Sequence, residues 1–257
     1  MDRLRGKVTI VTGGASGIGN AIAKAFALEG ARVCVADISQ AKCDEAARDI
    51  GKGCFGHAMD VRNRRSIDAL INHVSTEAGS IDVLVNCAGV FGMQRFTDIT
   101  EEEFDRIFAV NTRGFLFMSQ AAARRMIEQG GGGSIINIAS GVGRRTSPGA
   151  AIYSASKAAV ISITQAAAQE LIAHNIRVNA IAPGGVYTPM LKQVESEFAQ
   201  VFGCDLGGAE KMQISATPAG RLSTPDEYAG AAIFFACQDS SYVVGQTLNV
   251  DGGMFLS

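Results

Sequence analysis

Short runs of β-branched and aliphatic residues alternate along this chain with longer alanine-rich stretches whose apolar positions recur at helical spacing. The runs at 8–11, 32–36, 54–59, 83–85, 134–138, 177–181 and 247–250 predict seven strands. Several are apolar without strict alternation, the pattern of strands buried on both faces of a parallel sheet. The stretches near 18–29, 40–50, 63–78, 101–128, 151–174 and 225–238 predict helices. Gly30, Gly79 and Gly130 fall where helices close, while Asp60, Thr100 and Thr224-Pro225 fall where they open.

Strand–helix alternation with right-handed crossovers predicts an α/β fold: a doubly wound, Rossmann-type parallel sheet of seven strands flanked by helices. At 257 residues the chain suits one large α/β domain or two small ones. No repeat or charge block divides it, and the glycines at 130–133 feed straight into an apolar strand. Residues 1–257 therefore read as one dinucleotide-binding and catalytic domain. The region 186–217 has weaker periodicity, internal glycines and a proline near each end (Pro189, Pro218). Those are the marks of a substrate lid.

Composition narrows the function classes. A formal charge of −2 offers no basic surface for nucleic acid or anionic lipid. No apolar run reaches the roughly 20 residues of a membrane span. The N-terminus enters a strand with no signal-peptide core, so a cytoplasmic protein is expected. The six cysteines are scattered without CxxC pairs, and His57, His73 and His174 form no constellation. Reduced thiols are expected, and no zinc site.

Candidate chemistry begins with Tyr153 and Lys157, which i, i+4 spacing sets on one helix face. An ammonium beside a phenol favours the phenolate and lowers its pKa from the usual value of about 10. The second element is the turn Thr12-Gly13-Gly14-Ala15-Ser16-Gly17-Ile18-Gly19, between a strand and a helix. Its glycines allow close approach of a pyrophosphate, and the helix start supplies free N–H groups and a positive dipole. Asp37 ends the second strand, where a carboxylate accepts hydrogen bonds from adenosine ribose hydroxyls. It would repel a 2′-phosphate; Ser16 supplies no cation, and Arg62 and Arg64 are expected elsewhere. NAD is expected over NADP.

Assembled in order, these residues resemble the single-domain short-chain dehydrogenase/reductases over nearly the whole chain. The resemblance rests on 12–19, Asp60-Val61, Asn86-Cys87-Ala88-Gly89, Asn111, Ser140, Tyr153 with Lys157, Pro183-Gly184, Thr188 and Val250-Asp251-Gly252-Gly253. Cys87 departs from the usual second asparagine, and Gly185-Val186-Tyr187 is a variable version of its segment.

The resemblance implies roles. Tyr153 would exchange a proton with the substrate, Ser140 would hydrogen-bond its oxygen, and Lys157 would hold the nicotinamide ribose and tune the phenol. Asn111 would keep a water linked to Lys157. Gly13, Ser16, Gly17, Ile18 and Gly19 would bind the pyrophosphate, with Asp37 and Ile38 at the ribose and Asp60 and Val61 at the adenine. Asn86, Ala88 and Gly89 would line the cofactor channel. Pro183, Gly184, Val186 and Thr188 would meet the carboxamide end. A homotetramer built on the helices near 101–128 and 151–172 is also implied, their apolar residues (Phe104, Phe108, Phe115, Phe117, Ile161, Ile163) covering more than one face.

The substrate implied is a small-molecule alcohol or ketone. Local text at 79–86, 135–145, 157–165 and 179–184 resembles the bacterial NAD-dependent polyol dehydrogenases of the sorbitol and galactitol type. Gln193, Glu195, Glu197 and Gln213 in the lid offer partners for a polyhydroxylated ligand. Arg144 and Arg145 either meet an acidic group or lie on a surface loop. A 3-oxoacyl-carrier-protein reductase remains an alternative, as does a hydroxysteroid-type dehydrogenase with a lid lined by Met190, Leu191, Phe198, Val201, Phe202 and Met212. A nucleotide-binding regulator without catalysis is the alternative from another class, and the joint presence of Ser140, Tyr153 and Lys157 speaks against it.

Overall fold

Strand residues of opposite parity face opposite layers, and that alternation builds the molecule. The structure, a computed structural model, describes residues 2–51 and 53–256. Its strands are β1 (Val8–Thr12), β2 (Arg32–Asp37), β3 (Phe55–Ala58), β4 (Val83–Asn86), β5 (Gly133–Ile138), β6 (Ile176–Pro183) and β7 (Thr247–Val250). They form one sheet in the order β3-β2-β1-β4-β5-β6-β7, every pairing parallel. This is the doubly wound arrangement expected.

On one face Val11, Val35, Val85 and Ile136 pack against Ile22 and Phe26 of α1 (Gly17–Leu28), Ala46 of α2 (Gln40–Ile50) and a later helix carrying Phe235. On the other, Ile10, Cys34, Leu84 and Ile135 pack against Leu70 and Val74 of α3 (Arg64–Ala78) and two further helices. The period of two thus gives each central strand two apolar faces, which is why it reads as a continuous hydrophobic run.

The helix expected over 101–128 is not continuous. It comprises α4 (Glu101–Phe108), a π-helical stretch over Ala109–Gly114, and α5 (Phe115–Gln129). The wider turn brings Asn111 inward, where its side chain exchanges hydrogen bonds with both backbone groups of Val90, each 2.9 Å long. Insertions of this kind re-aim a side chain without ending the helix. Phe115 belongs to the inner face of these helices, buried with Ala139, Val160 and Ala180.

Two boundaries also differ. Asn63, not Asp60, caps α3 by accepting from Arg65 N at 3.0 Å. The Asp60 carboxylate turns instead to the backbone and guanidinium of Arg62. The expected 225–238 helix is a 3-10 turn over Pro225–Tyr228 leading into α9 (Ala229–Ala236). Thr224 opens it through a reciprocal capping box with Glu227. Before it come α6 (Ala151–Leu171) and, within the region read as a lid, α7 (Pro189–Phe202) and α8 (Gly208–Ala216).

Candidate active site

Strands β1 and β4 are neighbours whose following segments turn to opposite faces, and a cleft of about 970 Å³ opens beyond their C-terminal ends. Thr12 joins the two strand ends: its hydroxyl accepts from Cys87 N (3.1 Å) and Ala88 N (3.2 Å). Gly13 has φ +65°, and a Cβ there would lie 2.9 Å from the Ala88 backbone. Only glycine fits. A Cβ on Gly19 would strike the Gly13 carbonyl, so that glycine lets α1 start hard against the turn. Ser16 makes no side-chain bond to the first turn of α1, which leaves its hydroxyl and the leading N–H groups available to an anion.

Gly13, Ser16, Gly17, Ile18, Asp37, Ile38, Asp60, Val61, Ala88 and Gly89 line this cleft, as do Ser140, Tyr153, Lys157, Pro183, Gly184, Val186 and Thr188. Thr188 reaches across to Gly17, where a Cβ would touch its methyl at 3.4 Å. Asp37 accepts from Ile38 N (2.7 Å) and Ala15 N (3.4 Å), so its carboxylate is fixed at the rim. Arg62, expected elsewhere, lines the same cleft, with its guanidinium paired to Asp60. Arg64 is indeed elsewhere, paired to Asp68.

Gly19, Asn86 and Asn111 stand behind the cleft wall. Asn86 donates to Ser119 Oγ (2.8 Å) and Asn137 Oδ1 (3.2 Å), and Asn137 donates to Thr164 Oγ1 (2.8 Å). This buried polar chain ties α5 to α6 across two strands. It answers the hydrogen-bonding needs of each member, as burial requires.

At the inner end the Ser140 side chain acts on the Tyr153 phenol and favours its ionised form. Lys157 Nζ donates to the Ile138 carbonyl at 2.9 Å and lies 5.9 Å from the Tyr153 ring centre. Ser156 Oγ donates to the Tyr153 carbonyl (2.7 Å) and accepts from Asn111 Nδ2 (3.2 Å), linking the π-helical stretch to α6. A Cβ on Gly89 would come within 3.4 Å of Asn111 Oδ1 and 3.6 Å of Lys157 Nζ, so both groups face one point of backbone.

The electrostatics depart from expectation. Burial pushes the Tyr153 phenol up to about 12 against the pull of Ser140, and it pushes Lys157 down to about 8. Loss of water dominates both groups, and no depression of Tyr153 by Lys157 is found.

The polar groups of the 186–217 segment also serve a different purpose. Glu195 accepts from Gly207 N and Glu210 N, joining α7 to α8. Glu197 accepts from Met93 N (2.8 Å), and Gln193 donates to Phe91 O (3.1 Å) and Glu197 (2.7 Å). Of the four expected to face a ligand, only Gln213 lines the cleft, beside Met190, Leu191, Phe198 and Met212. Arg144 donates to Thr247 O, while Arg145 lies exposed on the cleft margin. Phe91, Met93, Met254 and Phe255 complete the wall and carry no motif by which the sequence could have announced them.

Lys157 is 5% exposed and has no carboxylate partner among the described residues. A pKa lowered on folding destabilises the charged form fully below the folded value of about 8, and the penalty fades as pH rises toward the unfolded 10.5. A shift of this size corresponds to about 3 kcal/mol, less about 1 kcal/mol for the lost Ile138 bond. Lys157→Met is therefore expected to stabilise the cofactor-free protein by about 1–3 kcal/mol at pH 7. The gain should shrink by pH 10. Urea unfolding at both pH values checks it, and a variant less stable than wild type at pH 7 would contradict the buried-charge account.

Residues 13–255 match a family model described as enoyl-(acyl carrier protein) reductase, one of the short-chain dehydrogenase/reductase models. The chain is 44% identical over 255 residues to a galactitol 2-dehydrogenase of Agrobacterium fabrum, covering 99% of this chain and 100% of that one. It is 45% identical over the same shares to a sorbitol dehydrogenase of Cereibacter sphaeroides. A 3-oxoacyl-[acyl-carrier-protein] reductase of Thermotoga maritima is 38% identical, with 99% of this chain and 100% of that one covered. Among solved structures, a 3-ketoacyl-(acyl-carrier-protein) reductase from Brucella melitensis complexed with NADH superposes with a TM-score of 0.89 at 34% identity, over 98% of this chain and 100% of that one. The chain belongs to the short-chain dehydrogenase/reductase family, oxidoreductases acting on CH–OH donors with a nicotinamide cofactor.

Proposed function

We propose that this protein oxidises a secondary hydroxyl of a sugar alcohol to the ketose, and catalyses the reverse, with NAD. The observation that carries the reading is that Ser140, Tyr153 and buried Lys157 line one cleft together with the Gly13–Gly17 turn. The polyol names of the two relatives at 44% and 45% identity supply the substrate class. The carrier-protein reductase reading has the weaker support, from a relative at 38%.

The bound nicotinamide supplies the hydride acceptor in oxidation and the hydride donor in reduction. The Gly13 turn and the start of α1 hold its pyrophosphate, Asp37 its adenosine ribose, and Thr188 and Val186 the carboxamide end. Ser140 donates a hydrogen bond to the substrate oxygen. Tyr153 takes the hydroxyl proton in oxidation and returns it in reduction. Lys157, held by Ile138 O, faces the nicotinamide ribose, and Asn111 supports a water path to it. The residues act as one catalytic domain with 186–217 as its lid. No helix among the described residues is long and apolar enough to cross a membrane, and a cytoplasmic setting accords with the cofactor.

Three measurements test this reading. NADH formation by the purified protein is expected on an alcohol panel containing alditols, with turnover rising between pH 7 and 10 because the base is a phenol pushed up to about 12 by burial. Tyr153→Phe should lose about 10²–10⁴-fold in kcat with NAD affinity nearly intact. Retention of wild-type turnover and pH dependence by that variant would remove Tyr153 from the mechanism.

Cofactor choice rests on Asp37; Arg62, which lines the same cleft, is paired to Asp60. Asp37→Ala should weaken NAD binding and narrow its advantage over NADP. A wild type that already prefers NADP in kcat/KM would overturn the assignment.

Assembly rests on the outer faces of α4 and α5, where Phe104 stacks on Phe108 at 4.4 Å and Phe104 and Leu116 remain exposed. A second copy covering these faces, extended by closed symmetry, gives a homotetramer. Sedimentation at micromolar concentration should report four chains, and a stable monomer would exclude the arrangement.

A further inference from the structure

Behind β7 the chain doubles back into the substrate end of the cleft. Gly252 (φ +65°) and Gly253 (φ +88°) make the reversal. Asp251, itself buried, grips the backbone on the far side of that turn. One of its carboxylate oxygens accepts from Gly253 N (3.0 Å) and the other from Phe255 N (2.9 Å). Asn249 Nδ2 donates to Phe255 O at 2.8 Å, fixing the same residue from the strand. The Phe255 ring is thereby laid on the Cα of Gly141, so closely that a Cβ there would overlap it. Gly141 immediately follows Ser140. From the other side the Phe91 ring meets Tyr153 edge-on, centres 5.0 Å apart.

Two aromatic rings therefore stand at the reacting centre, Phe255 against the residue that follows Ser140 and Phe91 against the Tyr153 ring. Neither ring can donate to or accept from a substrate hydroxyl at ordinary strength, and Met254 beside them adds only a thioether. A hydroxyl on the carbon placed between them would lose water without gaining a partner. Ser140 and Tyr153 are both committed to the reacting oxygen.

We infer that Phe255, held by Asp251 and Asn249, is a specificity-determining residue that selects a polyol whose carbon chain on one side of the reacting carbinol ends without a hydroxyl, as a methyl or short alkyl group. Gln213 and Arg145 line the same cleft and can meet hydroxyls elsewhere on the substrate. This rests on the polyol reading above and refines it from sugar alcohols in general to deoxy-alditols and related alkyl diols.

The test compares galactitol with its 6-deoxy analogue, using the full-length enzyme at saturating NAD. An apolar pocket discriminates by about 10–200-fold for each methylene-sized group. The wild type is expected to favour the deoxy-alditol by about tenfold or more in kcat/KM. Phe255→Ala, and separately truncation after Met254, should shrink that preference at least about fivefold while the Kd for NADH, read by its fluorescence, stays unchanged. A wild type that prefers galactitol, or a preference untouched in both variants, overturns the role of Phe255. If no alcohol gives NADH, the polyol reading itself falls. Calorimetric binding of the two alditols to the NADH complex then decides the residue alone, equal affinities in wild type and Phe255→Ala counting against it.

Discussion

The contact on which the site depends is the close approach of two strand ends, β1 and β4, where their chains part. The Thr12 hydroxyl accepts from two successive N–H groups beyond β4, and Gly13 presses its bare Cα against Ala88. That approach seals the floor of the cleft with backbone. It also orients the N-terminus of α1 toward the space above. A side chain at position 13 would separate the turns and deprive the cleft of its base. The same contact sets the position of Gly89, against which Asn111 and Lys157 converge. The glycine turn and the buried Asn111 and Lys157 thus share one rigid reference.

Around that reference the molecule accepts unfavourable burial. Lys157 is enclosed with a backbone carbonyl as its hydrogen-bond partner, and Tyr153 is dehydrated until its phenol is held near 12. Each group in isolation opposes the ionised state that oxidation needs. The conflict is confined to a few residues because the buried amides behind them are paired. Asn86, Asn137, Ser119 and Thr164 complete one another, and Asn111 saturates Val90. Strain of this sort persists only where surrounding packing over-determines it.

How much of this was legible in the sequence depends on the range of each interaction. Strand positions were readable because burial on both faces leaves continuous apolar runs, and the glycine turn because its conformation excludes other residues. The break at 109–114 was not, since the pull on Asn111 comes from Val90, which is distant in the chain. Asp60 resembled a cap locally, yet Arg62 captures its carboxylate and Asn63 takes the position. The direction of the Tyr153 shift was misread for a related reason. A neighbouring cation is visible as spacing, whereas dehydration is a property of the whole enclosure.

The segment 186–217 shows the same limit most clearly, and its consequence reaches the cleft. Gln193, Glu195 and Glu197 look in sequence like a polar lining. In the fold they hold α7 to α8 and to the segment at 91–93. A short segment of backbone turned toward a cleft must find partners for its N–H and C=O groups, and here the lid side chains supply them. Apart from Gln213, what they leave facing the cleft is apolar: Met190, Leu191, Phe198 and Met212, with Phe91 and Phe255 beyond. Polar residues that secure a lid are thereby withdrawn from recognition. In the proposed reaction, recognition by hydrogen bond would be left to the groups at the reacting oxygen, Gln213 and the cleft margin, so discrimination along the rest of the substrate would rest on shape and on which of its carbons tolerate losing water.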